Sequence, residues 1–248
     1  MTHTQAFAEP SDLEFLPNVC SGCAIRNSSL CGALTAEELH GLNRISLRRK
    51  LERGQHYAIE GDASRQFANV VSGVAKLVRT ARDGRTQIVG LLFPSDFLGF
   101  NSKVHGDDTE LYSIEAATDL QLCTFPREKF VGLLSKHPEL EHRMLQRTFD
   151  ELQVAREWMV LLGRKTAKER VATFLLHVAK RMKNQSCTAQ DGFNLPLNRS
   201  EIADHIGLTV ETVSRQFSQM RKKGILEMKG VRHVSRIDID GLTELAGF

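Results

Sequence analysis

The chain has 248 residues, 41% of them hydrophobic and 25% charged, which is ordinary for a globular protein of one or two domains. No apolar run approaches the roughly 18 residues of a membrane span, and Met1–Pro17 lacks the basic start and apolar stretch of a secretory signal. A cytoplasmic location without a membrane partner is therefore expected. The net charge of +3 is divided unevenly: residues 164–248 carry 15 Lys and Arg against 9 Asp and Glu, which leaves 18 against 21 for the rest. This asymmetry favours a C-terminal part that meets phosphate.

The first segment, residues 1–33, carries three of the five cysteines. Cys20, Cys23 and Cys31 are spaced Cys-x2-Cys-x7-Cys in a stretch that is short of large apolar residues, and Cys123 lies far along the chain. Disulfides are uncommon in cytoplasmic proteins, so the clustering favours a metal site. Four thiolates can hold an iron–sulfur cluster or a tetrahedral zinc ion; spacing alone leaves both open, together with a coincidental grouping.

Residues 34–135 are predicted to form a strand-rich sensory domain. Short runs such as Val74–Val78 and Gln87–Phe93 are separated by turn signals, and Asp83-Gly84 between two runs predicts a hairpin. Several strands at intervals of about ten residues are typical of a β-sandwich or β-barrel.

A long helix is predicted over residues 136–163. Glu139–Leu162 contains no Gly or Pro, and its apolar residues recur with a heptad-like rhythm. Such a stripe forms either intramolecular core or a dimer seam; the length of the helix and its place between two domains favour the seam. Gly163 is expected to end the helix. The predicted seam residues are Leu145, Thr148, Leu152, Ala155, Met159 and Leu162.

Residues 164–248 are predicted to form a winged helix-turn-helix domain. A helix with an apolar face precedes Gly207, which supplies a tight turn of positive φ. Thr209 is the predicted N-cap of the second helix. Beyond that helix, Ile225–Met228 and Val231–Ile237 read as a hairpin, which is the wing.

The second helix is expected to lie in the major groove with its N-terminal half against base edges. Glu211, Ser214 and Arg215 project outward if the apolar positions face the core. Arg can bond guanine in bidentate fashion and Glu can accept from cytosine. The alternative, a surface ion pair between Glu211 and Arg215 at i and i+4, is disfavoured by the helix-turn-helix context. The predicted DNA-binding residues are Glu211, Ser214, Arg215, Thr209, Thr212 and Arg199.

The order of strand-rich sensor, long helix and winged helix-turn-helix resembles the cyclic-AMP receptor protein and FNR superfamily of bacterial regulators. Glu211-Thr-Val-Ser-Arg215 resembles the E-x-x-S-R motif of its FNR (fumarate and nitrate reductase regulator) branch. The resemblance implies an α+β chain with an N-terminal β-roll (a double-stranded β-helix, cupin-like). It also implies a homodimer that binds double-stranded DNA at inverted repeats of the TTGAT…ATCAA type, with RNA polymerase as a further partner. Such regulators activate or repress transcription.

Two ligand classes are not expected. Cyclic-nucleotide members of the superfamily hold the phosphate with a Gly-Glu pair followed further along by Arg-Ser or Arg-Thr. Here Gly99 precedes Phe100, and no Arg precedes a Ser or Thr downstream in the roll, so no cyclic nucleotide is expected. An enzyme substrate is not expected either, because the chain has no nucleophile–base motif, Walker loop or HExxH.

FNR-type oxygen sensors resemble this chain in having three N-terminal cysteines and one on the β-roll that bind a [4Fe–4S] cluster. The x7 gap is similar to that of FnrL-type regulators. The resemblance implies that Cys20, Cys23, Cys31 and Cys123 are the ligands, that Cys187 is not, and that DNA is bound while the cluster is intact. A regulator of the same fold with another trigger (zinc, thiol oxidation or haem) is the alternative.

Overall fold

The computed structural model has the predicted α+β architecture, in the predicted order of β-roll, long helix and winged helix-turn-helix. The residues that the structure describes are 20, 22–99, 109–183 and 192–247. The chain divides into two compact units. The first contains Met1–Leu77 and Leu91–Thr148, and the second contains Val78–Gly90 and Phe149–Phe248. Within the described residues, none of the helices combines the length and the apolar character that a bilayer span requires.

The β-roll consists of two four-stranded sheets. One sheet has the strand order β1-β8-β3-β6 and the other β2-β7-β4-β5. The roll and its flanking helices comprise α1 (Ala36–Ile45), β1 (Leu47–Leu51), β2 (His56–Ala58), β3 (Gln66–Ser72), β4 (Ala75–Thr80), β5 (Thr86–Leu92), β6 (Phe97–Leu98), β7 (Ser113–Ala116), β8 (Leu120–Pro126) and α2 (Arg127–Leu134). The predicted hairpin is confirmed: Gly84 has φ +83° between β4 and β5, and the Ala81 N–H donates to Arg85 O at 2.8 Å.

Aromatic rings fill the core on one side of the roll. Phe67 and Phe125 both pack against Phe130 of α2, with ring centroids 5.0 and 5.4 Å apart. The same buried cluster contains Leu140 and Met144, from the start of the next helix, together with Cys123 and leucines of the N-terminal segment. One core therefore joins the cysteine-bearing segment, the roll and the first turns of that helix.

The long helix, α3, spans Pro138–Arg164, or 27 residues. It continues through Gly163, where it was expected to end, because the helical bonding persists: the Lys165 N–H still donates to Leu161 O at 3.2 Å. All six predicted seam residues are exposed, and Met159 keeps 72% of its surface against 2% for Leu161 on the opposite face. Phe149 and Val160 extend the same exposed apolar stripe.

The second unit contains the predicted winged helix-turn-helix. Its elements after α3 are α4 (Ala167–Lys183), β9 (Phe193–Asn194), α5 (Arg199–Ile206), α6 (Val210–Lys222), β10 (Leu226–Lys229), β11 (His233–Ile237) and α7 (Ile239–Ala246). The predicted wing, β10 with β11, gains a third strand because β9 pairs with β11. Helix α7, which the sequence reading did not predict, is capped by Asp238 and packs on α4.

Candidate functional site

The structure brings the four predicted ligand cysteines to one cavity. Cys20, Cys23 and Cys31 come from the loop before α1, and Cys123 comes from β8. The space between their side chains, including the part open to solvent, amounts to about 320 Å³. Cys123 is buried and the other three are half-buried. Among the residues described, no three His, Cys, Asp or Glu side chains are close enough to hold a single metal ion.

Local packing fixes the cysteine loop. A turn of 3-10 helix at Leu30–Ala33 is capped by Ser29, whose fully buried hydroxyl accepts from the Cys31 N–H at 3.3 Å. Leu30 anchors this turn in the aromatic core. A Cβ at Gly32 would lie 2.7 Å from Asn27 O, so the loop closes tightly only around glycine. The cap, the buried leucine and the glycine therefore set the position of the third cysteine.

The strand register supplies the polar neighbours of the cavity. Cys123 lies on β8 between Arg48 of β1 and Asn69 of β3, which are its partners in the two adjacent ladders. Arg48 Nη2 donates to Cys23 Sγ at 3.7 Å, and Asn69 Nδ2 donates to Cys31 Sγ at 3.6 Å. Arg48 Nη1 and Asn69 Oδ1 are buried without a hydrogen-bond partner in the described structure. The guanidinium and the amide that line the cavity therefore each have an atom without a hydrogen bond in the described structure.

Burial controls the protonation of the thiols. It raises the pKa of Cys31 to about 11 and that of Cys123 to about 12. The pKa of Cys20 is also raised, first by burial and then by the neighbouring Cys23. Arg48 acts in the opposite direction on Cys20 and Cys123. Because a buried thiolate is costly unless it is compensated, these groups ionise together only when a cationic group lies among them.

The cysteine loop also contacts the long helix. The Arg147 guanidinium on α3 donates to the backbone carbonyl of Ser28, between the second and third cysteines. Ahead of α3, His137 Nδ1 lies 2.9 Å from Glu38 Oε1 of α1. The described contacts therefore connect the conformation of the loop directly to the beginning of α3.

The helix-turn-helix has the predicted turn and a cap that sequence reading missed. Gly207 has φ +63° as the left-handed cap of α5, and Thr209 Oγ1 accepts from the Thr212 N–H at 3.3 Å at the start of α6. At the other end of α5, Asn198 and Glu201 form a reciprocal capping box at 2.8 and 2.9 Å. The Asn-x-x-Glu spacing was the available signal for that helix start.

Three of the predicted base readers share the outer face of α6. Glu211, Ser214 and Arg215 are exposed, while Val213 and Phe217 are buried beneath them. The pKa of Glu211 is lowered, first by its own backbone N–H and then by the Thr209 hydroxyl, so its carboxylate stays ionised at the helix start. Their contact with DNA stays a prediction.

Arg199, another predicted DNA contact, is bound within the protein. Its guanidinium lies 3.5 Å from the ring centroid of Phe217, and Nη2 lies 3.3 Å from Met228 Sδ on β10. Burial and the neighbouring Arg221 lower its pKa to about 10. Arg199 therefore connects the first helix, the recognition helix and the wing, and a direct role in DNA contact stays a prediction.

A buried histidine lies at the end of α5. His205 Nδ1 is 2.8 Å from Ile88 O of β5, and its ring lies 4.3 Å from the centroid of Trp158 on α3. Phe174 of α4 meets the same imidazole edge-on at 5.9 Å. Burial lowers the pKa of His205 to about 4. A neutral imidazole is thus built into the packing between α5 and three other elements.

Comparison with known proteins matches two family models. Residues 48–137 match the cyclic nucleotide-binding domain, and residues 169–245 match the Crp-like helix-turn-helix domain. The first match concerns the domain as a whole and does not test the phosphate-binding pattern. Residues 100–108, where the chain was predicted to depart from that pattern, lie outside the described residues. The expectation that no cyclic nucleotide binds therefore stays a prediction.

Full-length relatives agree with the order of domains. The transcriptional activator protein FnrL of Cereibacter sphaeroides is 43% identical over 231 residues, which is 92% of each chain. The nitrogen fixation regulation protein FixK of Bradyrhizobium diazoefficiens is 38% identical over 88% of this chain and 91% of its own. The solved structure of FixK2 from Bradyrhizobium japonicum superposes with a TM-score of 0.72 at 30% identity, covering 81% of this chain and 97% of that one.

We expect the stability of the second unit to decrease as the pH falls from about 6.5 to about 4. The folded pKa of His205, about 4, lies below its ordinary value of 6.5, so in this window the unfolded chain binds a proton that the native chain does not. The contribution of His205 to the free energy of unfolding is fully present above pH 6.5 and is lost toward pH 4; its size is about 3 kcal/mol. Urea denaturation at several pH values, followed by the fluorescence of Trp158, measures this contribution.

The matched variant for this measurement is His205→Gln, since an amide can still donate to Ile88 O. His177, whose pKa burial also lowers to about 4, remains in both proteins, so the difference between them isolates His205. The free energy of unfolding of the variant should depend less steeply on pH than that of the wild type. Equal slopes for the two proteins would show that His205 is not the group responsible.

Proposed function

The chain belongs to the Crp/FNR family, as a transcriptional activator of the FnrL and FixK type, and on this premise we propose that it is an oxygen-responsive regulator. In this proposal it binds DNA as a homodimer while a [4Fe–4S] cluster is held by Cys20, Cys23, Cys31 and Cys123. The observation that carries the proposal is the single cavity that these four cysteines line, in contact with the core from which α3 begins.

The residues around the cavity fit such a cluster. Four cysteine thiolates are its usual ligand set, and the iron charge offsets the cost of ionising thiols whose pKa burial has raised. Four thiolates around an iron–sulfur core leave a net negative charge, which the partly unsatisfied guanidinium of Arg48 compensates. Asn69 adds an N–H donor toward sulfur, a contact of the kind that tunes reduction potential.

The cluster supplies the reaction with oxygen, and the protein supplies the connection to DNA. A cluster held by all four cysteines would fasten the loop between Cys23 and Cys31 to β8. The Ser28 carbonyl of this loop receives the Arg147 guanidinium, and the shared core holds the first turns of α3. Loss of the ligand bonds would weaken the attachment of the loop, and with it this support of the helix.

Zinc, thiol oxidation or haem in the same fold is the alternative trigger. Four thiolates also suit zinc, and two thiols in one cavity can oxidise to a disulfide. Spacing and burial of the cysteines support the cluster and zinc alike. The FnrL name of a relative at 43% identity favours a regulator that acts in the anaerobic response, which is the ground for placing the cluster first.

DNA recognition is assigned to α6 and its two-fold copy. Glu211, Ser214 and Arg215 present a carboxylate, a hydroxyl and a guanidinium on one exposed face of this helix, which suits bases in the major groove. Arg221 and Lys222 add cationic charge in the last turn for phosphate contact. Inverted repeats of the TTGAT…ATCAA type match a protein with two-fold symmetry.

Dimerisation is assigned to the exposed stripe of α3. Leu145, Leu152 and Met159 expose 52, 43 and 72% of their surface, and a partner helix would remove that apolar area from water. The six seam positions carry no carboxylate. We therefore infer that the dimer persists when the cluster is lost, and that oxygen changes the geometry of the helix pair.

RNA polymerase is proposed as the second partner. Transcriptional activation is the role that the relatives' names state, and the tip of the β4–β5 hairpin offers exposed charge with an Asp83–Arg85 ion pair at 2.8 Å. Repression at some promoters, which the sequence reading allowed, has no support from the relatives' names.

Protein purified without oxygen should be brown and contain iron and sulfide in equal amounts, about four of each per chain. Air should bleach it. Cys31→Ala should lose both the colour and the sulfide, since only three ligands remain. Cys187→Ala is the matched control, because Cys187 lies outside both the motif and the described residues, and it should retain the cluster. A colourless protein that holds zinc, or full iron and sulfide in Cys31→Ala, would overturn the assignment.

Arg215→Ala should lower affinity for a TTGAT…ATCAA duplex more than affinity for unrelated DNA, by about 1–3 kcal/mol per lost base contact. Lys222→Ala should weaken binding to both duplexes alike and flatten the salt dependence, because phosphate contact carries no sequence information. Fluorescence anisotropy with both duplexes at several salt concentrations separates the two effects. An equal loss on both duplexes for Arg215→Ala would exclude it as a base reader.

Sedimentation at micromolar concentration should show a dimer with and without the cluster. Leu152→Glu places two unpaired carboxylates in the seam, which costs about 3 kcal/mol or more and should yield monomer. Gln146→Glu adds the same charge to α3 away from the stripe and should stay dimeric. A monomeric wild-type apo-protein would refute the persistence of the dimer, and a dimeric Leu152→Glu would refute the seam.

A further inference from the structure

Arg170, on α4, is surrounded by backbone carbonyls from the ends of two other helices. Its Nη2 donates to Leu162 O at 2.7 Å and its Nε to Lys165 O at 2.9 Å, both at the end of α3. Its Nη1 donates to Ile206 O at 3.1 Å and to Gly207 O at 3.2 Å, at the end of α5. One guanidinium therefore makes four hydrogen bonds and joins the last turn of α3 to the turn of the helix-turn-helix.

The chemistry of the contact requires arginine. The last carbonyls of a helix have no intrahelical partner, and the helix dipole makes them favourable neighbours for a cation. Two such ends converge on Arg170, so a charged donor satisfies both at once. A guanidinium is planar, permanently charged and carries five N–H groups in a fixed fork, whereas a lysine ammonium has three rotatable donors at a single point.

The same contact brings α3 against the turn itself. A Cβ at Gly207 would lie 3.3 Å from Leu162 Cδ2 and 3.4 Å from Arg170 Nη1, and the residue has φ +63°. Thr209 caps α6 only two residues later. The direction in which the recognition helix leaves the turn is therefore set at the point where Arg170 binds.

A second set of donors holds the other carbonyls of the same helix end. The Gln87 side-chain amide, on β5, donates to Asp204 O and to His205 O, the latter at 3.3 Å. His205 Nδ1 in turn meets Ile88 O. These contacts fix α5 to the β4–β5 hairpin, whereas Arg170 is the side chain that bonds its end to α3.

We propose that Arg170 is a positioning residue for DNA recognition: it holds the end of α5 to the end of α3, so that the setting of α3 determines the setting of α6. This inference rests on the proposed function for the role of α3, and on the described contacts for the clamp. Affinity for DNA should then depend on Arg170 although its four bonds lie within the protein.

The test compares Arg170→Lys, which keeps the charge and loses the fork, with Lys168→Gln, which removes an exposed charge from the same helix. Trp158 is the single tryptophan of the chain and lies on α3 against His205, so its emission reports on this junction. DNA affinity is measured by anisotropy, and the emission of Trp158 is recorded free and at saturating DNA. Thermal unfolding is followed to establish that each variant is folded.

Arg170→Lys should bind the TTGAT…ATCAA duplex at least tenfold more weakly than wild type, and its Trp158 emission should change on DNA binding by less than half of the wild-type change. Lys168→Gln should stay within about threefold and keep the full emission change. Weaker binding of Arg170→Lys with an undiminished emission change would overturn the proposal, because the residue would then contribute charge or stability alone. Affinity within twofold of wild type would also overturn it.

The test of Arg170 can fail or succeed independently of the proposed oxygen response. Duplex DNA is bound at low salt whatever its sequence, so the emission comparison needs neither a cluster nor the predicted inverted repeat. A colourless wild type that is indifferent to oxygen would refute the proposed trigger, while a diminished emission change in Arg170→Lys would still support the clamp.

Discussion

The continuity of α3 is the constraint on which the rest of the structure depends. Its first turns lie in the core that also contains Cys123, and its last turn is hydrogen-bonded through Arg170 to the helix-turn-helix. The boundary between the two compact units falls inside this helix, after Thr148. Each part of the helix is held by contacts within its own unit: the first turns by the shared core, and the last turn by the hydrogen bonds of Arg170.

At the cysteine end, the constraint is electrostatic. Burial raises the pKa of Cys31 and Cys123 and so favours their protonated thiols, and a cation bound among them would change the charge of the cavity. Arg48 and Asn69 are placed by strand pairing on either side of Cys123. The other three cysteines come from a loop that a buried leucine and a capped turn hold against the roll. The site therefore combines one cysteine on a paired strand with three on a packed loop.

Local signals in the sequence predicted the parts of this structure that depend on local geometry. Gly207 and Thr209 mark the turn because positive φ and N-capping are properties of single positions. The cavity was predictable only as a grouping of cysteines; its polar neighbours follow from a strand register that no local pattern fixes. The stacking of Arg199 on Phe217 also had no local signal in the sequence, and its contact with DNA stays a prediction. The contacts of Arg170 have no local signal either, because a charged residue on a helix is ordinarily a solvated one.

The uncharged seam and the arginine clamp suit one another physically. A regulator that dissociates needs a marginal dimer and little else, whereas one that stays dimeric must pass on a change of helix geometry. Apolar contacts tolerate sliding, since dispersion depends weakly on direction. The hydrogen bonds of Arg170 weaken steeply as their angles depart from linear, so they resist rotation of α5 about the end of α3. In the proposed persistent dimer, directional bonds at this junction would pass on a change of helix geometry, and Arg170 makes four of them.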